Sequence, residues 1–344
     1  MRLGILGGGQ LGRMLAMAGQ PLAIRTTVLD PSDDPCAGQV CAAIHGEYDD
    51  RPKLDELIRA SDVITYEFEN VPVETARWLA GRIAVYPPPR ALEVSQDRVV
   101  EKTFLKDLGI PVPPFAAIES RAEFDEAIQT IGIPSVLKTR RFGYDGKGQM
   151  VLRQQADVES AWRLLGGRPL ILEGFVPFER ELSLLAVRSL QGDIRTYPLV
   201  ENEHREGMLF RSIAPAPRIS KAIADAALDY AGRILRELQY VGVLAMEWFL
   251  VDGELRVNEI APRVHNSGHW SIEGAVTSQF ENHVRAVLGL PLGETAVPRS
   301  CVMHNLIGCE ADFASRLSDP RAKLHWYGKV PKPRRKVGHV TVVD

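Results

Sequence analysis

Residues 247–270 read EWFLVDGELRVNEIAPRVHNSGHW and begin with two short runs on either side of a tight turn. Both runs alternate apolar and polar side chains around Asp252-Gly253, which is typical of a β-hairpin. Glu247 and Glu259 carry carboxylates into these otherwise apolar arms. Because a buried carboxylate needs a partner, the two acids either share a divalent cation such as Mg²⁺ with the Asn258 amide, or pair with lysine or arginine.

The register of this hairpin decides whether both carboxylates reach one site. A strict two-residue loop would set Glu247 opposite Asn258 and would turn Glu259 to the other face of the sheet. Both acids share a face only if the loop has an odd length, if a strand carries a bulge, or if the strand ends splay. We therefore expect a three-residue turn over residues 252–254, in which Gly253 relieves the backbone.

The chain has 344 residues, enough for two or three domains, and its composition of 45% hydrophobic and 25% charged residues is that of an ordinary globular protein. A net charge of −3 gives no field that would favour nucleic acid or a membrane surface. The segment MRLGIL at 1–6 is expected to be a strand rather than a signal peptide, and no apolar run is long enough to span a bilayer. Without metal-ligand spacing, the cysteines are expected to be reduced thiols in a cytoplasmic protein; they are Cys36, Cys41, Cys301 and Cys309.

Strands and helices alternate over the first 89 residues, which predicts an α/β fold with a doubly wound parallel sheet and helices on both of its faces. The expected strands cover residues 3–6, 25–29, 62–66 and 83–86. Proline-rich stretches at 87–89 and 110–114 mark breaks. One long helix is expected over about 219–238, and a further helix over 272–288. The predicted domains are an N-terminal domain at 1–97, a second at 98–290 with a lid subdomain at about 115–180, and a small β-rich unit at 291–344.

Two glycine-rich segments offer backbone N–H groups to phosphate. GGGQLG at 7–12 follows a strand and precedes a helix, with Asp30 ending the next strand, which fits either a dinucleotide site or a structural turn. FGYDGKGQ at 142–149 follows the strand residue Lys138. This combination favours a mobile hairpin that closes over ATP, and an exposed hairpin with solvated charges is the alternative.

Further polar segments lie at or beyond the ends of expected strands. YEFEN at 66–70 lies where open α/β sheets bind ligands. By composition alone, residues 173–176 and Glu181 are ordinary strand ends, whereas PRVHNSGH at 262–269 offers polar groups to an anionic substrate. A basic cluster near the C-terminus fits either a solvated face or a phosphate site, and it comprises Lys329, Lys332, Arg334, Arg335, Lys336 and His339.

Together these segments resemble the ATP-grasp superfamily, and most closely its 5-(carboxyamino)imidazole ribonucleotide synthase family, over nearly the whole chain. The matching segments are GGGQLGRM at 7–14, YEFENV at 66–71, GYDGKGQ at 143–149, NEIAPRVHNSGHW at 258–270, and HWYGK and RKVGH near the end. The resemblance implies an ATP-grasp fold. It also implies ATP- and bicarbonate-dependent carboxylation of the exocyclic amine of 5-aminoimidazole ribonucleotide, through carboxyphosphate, in purine biosynthesis.

The resemblance further implies a role for each matching residue. ATP would contact Arg98, Lys138, Gly143, Tyr144, Asp145, Gly146, Lys147, Gly148, Gln149, Glu173, Gly174, Phe175, Val176, Glu181, His204, Asn258 and Glu259. Mg²⁺ would be held by Glu247 and Glu259. The ribonucleotide would contact Gln10, Leu11, Glu67, Asn266, Lys329, Arg335 and Lys336. The residues Tyr144, Asp145, Arg263 and His265 would line the reaction centre as catalytic residues. Phe142 departs from the family pattern, in which a small residue is common.

Other functions fit parts of the sequence. An NAD-dependent oxidoreductase would explain only the first thirty residues, and a nucleotide sensor on the same fold would bind ATP without turnover. Within the superfamily, a formate-dependent glycinamide ribonucleotide transformylase is the nearest alternative enzyme. The predicted partners are ATP, bicarbonate and the ribonucleotide, with a second copy of the chain in a homodimer and without nucleic acid or membrane.

Overall fold

A four-stranded parallel sheet forms the N-terminal part of the chain, in a computed structural model that describes residues 1–143 and 145–344. Its elements are β1 (Arg2–Leu6), α1 (Gln10–Gly19), β2 (Arg25–Asp30), β3 (Ala42–His45), α2 (Arg51–Arg59), β4 (Val63–Tyr66) and α3 (Val73–Ala80). The strand order is β3-β2-β1-β4, and all neighbours run parallel. The parallel sheet predicted from the sequence is therefore confirmed.

Alternation along β1 explains why helices cover both faces. Leu3 and Ile5 pack against Leu15 of α1, whereas Leu6 packs with Leu54 of α2 on the opposite face. Two details differ from the sequence prediction. The edge strand β3 was not predicted, and the strand expected at 83–86 is reduced to a single bridge between Ile64 and Val85.

A smaller antiparallel sheet follows two connecting helices. The elements are α4 (Pro89–Ser95), α5 (Arg98–Asp107), β5 (Phe115–Ile118), α6 (Arg121–Ile131), β6 (Ser135–Thr139), β7 (Gln149–Leu152), α7 (Ala156–Leu165) and β8 (Leu170–Gly174). The strand order is β5-β8-β6-β7. Phe124 of α6 and Ala161 of α7 pack on Leu137 of β6 to form the core of this unit. Helix α5 begins at Arg98 because the Asp97 side chain caps it, accepting the N–H groups of Val99 and Val100.

A large antiparallel sheet contains the remaining strands. The elements are β9 (Arg180–Arg188), β10 (Ile194–Thr196), β11 (Val200–Arg205), β12 (Met208–Ala214), α8 (Lys221–Glu237), β13 (Gly242–Val251), β14 (Glu254–Ala261), α9 (Ser271–Gly274), α10 (Gln279–Val287), β15 (Cys301–Ile307), α11 (Phe313–Arg316), β16 (Ala322–Trp326) and β17 (Lys336–Val343). Eight strands follow the order β14-β13-β9-β11-β12-β15-β17-β16, and β10 pairs with β9. The β-rich unit expected at the C-terminus therefore contains strands, but these strands (β15, β16 and β17) extend the large sheet.

The long helix expected over 272–288 is interrupted. Helix α9 ends at Gly274, and α10 begins at Gln279 behind Ser278, whose side chain accepts the N–H of Glu281. Between them, Val276 and Thr277 donate backbone hydrogen bonds to a neighbouring extended segment at 294–296. Pairing with that segment replaces helical hydrogen bonds, so apolar periodicity alone overestimated the length of the helix.

The β13–β14 hairpin closes with a two-residue turn, so the three-residue turn expected over 252–254 is wrong. Val251 pairs with Glu254, and the two turn residues both have positive φ, 49° at Asp252 and 76° at Gly253. This is the geometry of a type I′ turn, whose twist matches that of the flanking strands. The aspartate–glycine pair is favoured there because both positions require a left-handed backbone.

The four cysteines carry free thiols, as expected. Over the described residues, none of the helices combines the length and the apolar character needed to cross a bilayer.

Candidate active site

Two adjoining cavities lie between the sheets. The smaller one, of about 290 Å³, lies between the small antiparallel sheet and the large sheet. The larger one, of about 640 Å³, lies between the N-terminal glycine turn, β14 and the basic segment before β17. Both cavities are lined by Arg98, Asp145, Lys147, Glu259, His265, Asn266 and Lys336. Ligands in the two cavities would therefore meet at this shared wall.

The structure gathers most of the residues predicted for ATP around the smaller cavity. Besides the shared residues, these are Lys138, Gly146, Gln149, Glu173, Gly174, Phe175, Val176, Glu181, His204 and Asn258. Gly143 lines only the larger cavity. Gly148 lines neither; a Cβ there would lie 2.7 Å from Oγ1 of Thr139, so this glycine permits the close approach of the loop to β6. Tyr144 falls outside the described residues.

Three buried charges stand at one side of the smaller cavity. The Lys138 ammonium lies 3.0 Å from Oε2 of Glu173, and the Lys102 ammonium lies 3.9 Å from the same oxygen. Burial alone would raise the pKa of Glu173, but the two lysines lower it to about 2. Burial lowers the pKa of Lys138, and the Glu173 charge opposes this effect. Two cations for one anion leave positive charge available to phosphate.

His204 and Glu181, which also line the smaller cavity, form a pair. The ring Nδ1 lies 2.9 Å from Oε2 of Glu181. Burial disfavours the charged ring, but this hydrogen bond and the nearby Glu247 charge raise the pKa of His204. Nonpolar groups complete the wall, and they come from Val136, Val151, Phe178, Leu209 and Phe249. An apolar slot with a polar end suits a nucleoside.

A β-bulge brings the two predicted metal ligands together. Trp248 of β13 pairs with Val257 of β14, and the residue before it, Glu247, pairs with Glu259. Asn258 is therefore an extra residue in β14. The extra residue reverses the alternation of that strand. Glu247 and Glu259 consequently lie directly opposite each other, which a regular register behind a two-residue turn would have prevented.

Helix α5 holds this bulge through two buried side chains that the sequence analysis did not single out. The Lys102 ammonium donates to the carbonyl oxygens of Val257 (2.9 Å) and Asn258 (2.5 Å). Glu101 accepts the N–H of Ile260 at 2.7 Å. Since a bulge leaves ladder groups unpaired, these bonds satisfy polar atoms that would otherwise be buried without partners. Lys102 follows Arg98 by one helical turn, a spacing that could have indicated it.

The two carboxylates fit a hard divalent cation. Burial, and then the Glu259 charge, raise the pKa of Glu247 to about 7. Arg98 lies 3.2 Å from Glu259, and His265 Nε2 lies 3.7 Å from Glu247. In the described part of the chain, no group of three or more His, Cys, Asp or Glu side chains forms a complete metal site. A cation here would need further oxygen ligands, as Mg²⁺ bound to nucleotide phosphates has.

The N-terminal glycine turn already contains its own anion. Glu67 accepts the N–H of Gly9 at 2.5 Å and that of Gly12 at 2.6 Å, and Asp30 accepts the N–H of Gly8 at 2.7 Å. Burial raises the pKa of Glu67, although both backbone hydrogen bonds favour its charged form. The N–H groups that would hold a pyrophosphate in a dinucleotide site are therefore occupied by the protein itself.

All seven residues predicted for the ribonucleotide line the larger cavity, and they are Gln10, Leu11, Glu67, Asn266, Lys329, Arg335 and Lys336. The Lys329 ammonium donates to the Gln10 side chain. The Lys336 ammonium donates to Oδ1 of Asp145 at 2.9 Å, which links this cavity to the glycine loop.

Arg263 and His265, the residues predicted for the reaction centre, both line the larger cavity, and each has a defined orientation. Arg263 forms a half-buried ion pair with Glu69. His265 is held by Ser267, whose hydroxyl lies 2.9 Å from its Nδ1. Burial and the Arg263 charge keep the pKa of His265 well below its usual value, so the ring is neutral.

Asn305 is a third residue that was not predicted from the sequence. It forms a reciprocal amide pair with Asn266, with N···O distances of 3.0 and 2.7 Å, and also donates to the carbonyl oxygen of Leu209. This pairing fixes the orientation of the Asn266 amide. A lone asparagine in an ordinary strand gives no sequence signal for such a role.

Two histidines expected near the anion lie elsewhere. His339 is fully buried in β17, shares a 2.7 Å hydrogen bond with the Tyr327 hydroxyl, and stacks on His325. His269 is also fully buried and lies beside His339. Burial lowers the pKa of both rings well below the usual range. Neither ring lines either cavity, so His339 is separate from the other members of the C-terminal basic cluster, which line the larger cavity.

Comparisons with known proteins agree with this arrangement. The ribonucleotide synthetase preATP-grasp domain matches residues 1–96, the ATP-grasp domain matches 103–280, and the phosphoribosylaminoimidazole carboxylase C-terminal domain matches 301–344. The N5-carboxyaminoimidazole ribonucleotide synthase of Pseudomonas aeruginosa is 53% identical over 342 residues, covering 99% of this chain and 94% of that protein. The chain belongs to the N5-carboxyaminoimidazole ribonucleotide synthase family.

Solved structures of this synthase family share the fold. The Thermus thermophilus enzyme superimposes with a TM-score of 0.95 at 55% identity, covering 99% of this chain and 93% of that one. The Aspergillus clavatus synthase, in complex with ADP and 5-aminoimidazole ribonucleotide, gives a TM-score of 0.93 at 32% identity, covering 100% and 93%. The family and the ATP-grasp fold expected from the sequence are thus confirmed. The exact domain boundaries and the roles of individual residues stay predictions.

Proposed function

We propose that this protein is the ATP-dependent ligase for which its family is named. It carboxylates the exocyclic amine of 5-aminoimidazole ribonucleotide with bicarbonate, in purine biosynthesis. Bicarbonate attacks the γ-phosphate of ATP to give carboxyphosphate and ADP. The amine then takes up the carboxyl group from carboxyphosphate, or from CO₂ released by it, and inorganic phosphate and a proton leave. The observation that carries the proposal is the shared wall of two cavities, one suited to a nucleoside and the other lined by basic groups.

The chain contributes charge neutralisation and orientation. In this proposal Lys138 and Arg98 neutralise ATP phosphates, and Arg263, held by Glu69, presents its guanidinium to bicarbonate or carboxyphosphate. Asp145, held by Lys336, is one of two carboxylates in the shared wall, and it accepts the proton lost by the amine, whereas Glu259 is assigned to the metal. The neutral His265 does not place an additional positive charge beside Glu247.

Glu247, Glu259 and Asn258 would hold Mg²⁺, which screens the charge of the transferred phosphoryl group. The protein must also exclude water, because carboxyphosphate hydrolyses readily. Gly143, Asp145, Gly146 and Lys147 of the glycine loop line one or both cavities, which supports a role of these residues in excluding water.

The larger cavity would hold the ribonucleotide, with Lys329, Arg335 and Lys336 around its phosphate. A phosphate monoester is a dianion near neutral pH and needs several converging donors. The predicted homodimer and the cytoplasmic location stay predictions.

The alternatives differ in measurable ways. An NAD-dependent oxidoreductase is disfavoured because Glu67 occupies the N–H groups of the glycine turn. A nucleotide sensor would bind ATP without forming ADP. A formate-dependent transformylase would require formate and glycinamide ribonucleotide, and it would not incorporate bicarbonate.

The deciding experiment measures ADP formation and fixation of labelled bicarbonate in parallel. Complete mixtures contain ATP, Mg²⁺, bicarbonate and 5-aminoimidazole ribonucleotide, and each component is omitted in turn. A second series substitutes formate and glycinamide ribonucleotide, and NADH absorbance is followed with the same samples. ADP formation that needs both bicarbonate and the aminoimidazole ribonucleotide supports the proposal, whereas turnover with formate or a change in NADH would overturn it.

A further inference from the structure

The tip of the β11–β12 hairpin touches the glycine loop backbone to backbone. Glu206 and Gly207 form a two-residue turn with φ values of 52° and 76°. A Cβ at Gly207 would lie 2.7 Å from Cα of Gly146, and a Cβ at Gly146 would lie 3.2 Å from the Glu206 carbonyl oxygen. Only glycine at both positions allows this approach without displacing main chain.

Arg334 bonds to both sides of this contact. Its Nη2 donates to the carbonyl oxygen of Asp145 at 2.7 Å and to that of Glu206 at 3.1 Å. Its Nη1 lies 3.3 Å from the Glu206 carboxylate. One planar guanidinium therefore holds the loop and the hairpin tip together, which a lysine could not do with the same geometry.

The backbone of Arg334 makes its identity unexpected. The N–H of Arg335 bonds to the carbonyl oxygen of Lys332, closing a turn with Pro333 in the second position, and Arg334 has a φ of 61°. The third position of such a turn favours glycine. A side chain kept in a strained position is a reason to look for a role.

The segment that contains Arg334 also lines the larger cavity. Lys336, two residues on, donates to the Asp145 carboxylate, and Lys332 to Lys336 line the larger cavity. Arg334 thus holds the main chain of Asp145, and Lys336 holds its side chain.

We propose that Arg334 is a positioning residue which docks the glycine loop on the Glu206–Gly207 turn and so fixes Asp145 in the wall shared by the two cavities. The inference rests on the proposed function only where it names substrates, because docking itself can be measured without turnover. When docking is lost, the loop admits water, and ADP forms without an equal amount of carboxylated product.

Arg334→Gly separates this role from folding, because glycine suits the backbone of the turn. The variant should unfold at or above the wild-type midpoint. With ADP and Mg²⁺ bound, trypsin should cut the loop near 140–147 roughly tenfold faster than in the wild type, as expected when a charge-assisted hydrogen bond is lost. Arg334→Lys should be intermediate. Wild-type protection of the loop in Arg334→Gly would overturn the proposal.

Gly207→Ala and Gly253→Ala form a matched pair. Both glycines are the second residue of a two-residue hairpin turn with a φ of 76°, but no atom lies within 4 Å of a Cβ at Gly253. The two variants carry the same backbone strain, so they should lose similar stability. Only Gly207→Ala should also expose the loop to trypsin and raise the ratio of ADP to product. Equal effects of the two variants on loop protection and on that ratio would overturn docking at this turn.

The two proposals fail in distinguishable ways. If wild-type protein makes no carboxylated product but Arg334→Gly and Gly207→Ala expose the loop, the proposed reaction is wrong and the docking stands. If the wild type carboxylates the ribonucleotide and both variants keep wild-type protection and stoichiometry, the reaction stands and the docking is wrong.

Discussion

Replacing Glu247 by glutamine tests the metal site through stability rather than turnover. Burial, followed by the Glu259 charge, raises the pKa of Glu247 from 4.5 to about 7 in the folded protein. A carboxyl group with a raised pKa stabilises the fold while it is protonated. Its contribution is full below pH 4.5 and is lost as the pH rises through 7. The difference between 4.5 and 7 corresponds to about 3 kcal/mol of unfolding free energy.

Glu247→Gln removes this titration and keeps the shape of the side chain. Between pH 4.5 and pH 8, the metal-free wild type should lose about 3 kcal/mol more than the variant, or roughly 4 °C in unfolding midpoint for a chain of this size. At pH 8 the metal-free variant should therefore be the more stable protein. Mg²⁺ should reverse the order, because only the wild type keeps both carboxylates opposite each other.

The assay is thermal unfolding followed by tryptophan fluorescence at several pH values, with and without Mg²⁺. Glu254→Gln, on the exposed end of the same hairpin, is the control and should follow the wild type. The reasoning is refuted if Glu247→Gln loses stability with pH in parallel with the wild type, or if Mg²⁺ stabilises both equally. Turnover gives a second test of Glu247→Gln. If this variant keeps more than about a tenth of kcat, it has lost under ~1.4 kcal/mol of barrier stabilisation, and Glu247 is not a metal ligand needed for turnover.

Three further outcomes are expected. Arg335→Ala should raise KM for the ribonucleotide by one to two orders of magnitude, roughly 1.5–3 kcal/mol. It should leave KM for ATP nearly unchanged, because Arg335 lines only the larger of the two cavities. A change in KM for ATP in initial-rate measurements would contradict the assignment. Lys102→Met should lower the unfolding free energy by about 3 kcal/mol in denaturant titrations, because the carbonyl groups of Val257 and Asn258 lose their donor. The variant also removes one of the two cations beside Glu173, which keeps Lys138. A loss below about 1 kcal/mol would show that the bulge does not need this lysine. ATP with Mg²⁺ should suppress tryptic cleavage of the wild type between Arg140 and Lys147, and equal cutting with and without ligand would count against closure of the loop.

Much of the fold could be predicted from local patterns. The alternation of strands and helices over the first 89 residues determines the parallel sheet, because each strand must bury both faces under helices. Asp145 and Lys147 of the glycine loop line both cavities, and Arg263, His265 and Asn266 of the polar segment line at least one, since both segments adjoin strands that converge there. His269 of the same polar segment is buried away from the cavities. These signals depend on neighbours in sequence.

The features that were missed depend on distant residues. Either a three-residue turn or a bulge would let Glu247 and Glu259 share a face, and the structure has the bulge. The carbonyl groups at this bulge are bonded by Lys102, which lies on a distant helix. His339 looked like part of a basic cluster, yet strand alternation turns it into the core beside Tyr327. Asn305 matters only through its pairing with Asn266, to which no sequence pattern points.

The strand order of the large antiparallel sheet also determines the order in which its strands can pair during synthesis. Strand β12 pairs with β15, so its outer edge stays open until residues 301–307 have left the ribosome. The basic segment that holds Asp145 is made later still. A prematurely terminated chain would therefore lack β15, which covers the hydrogen-bonding edge of β12, and Arg334, which anchors the glycine loop. A covered sheet edge and an anchored glycine loop therefore both depend on completion of the polypeptide.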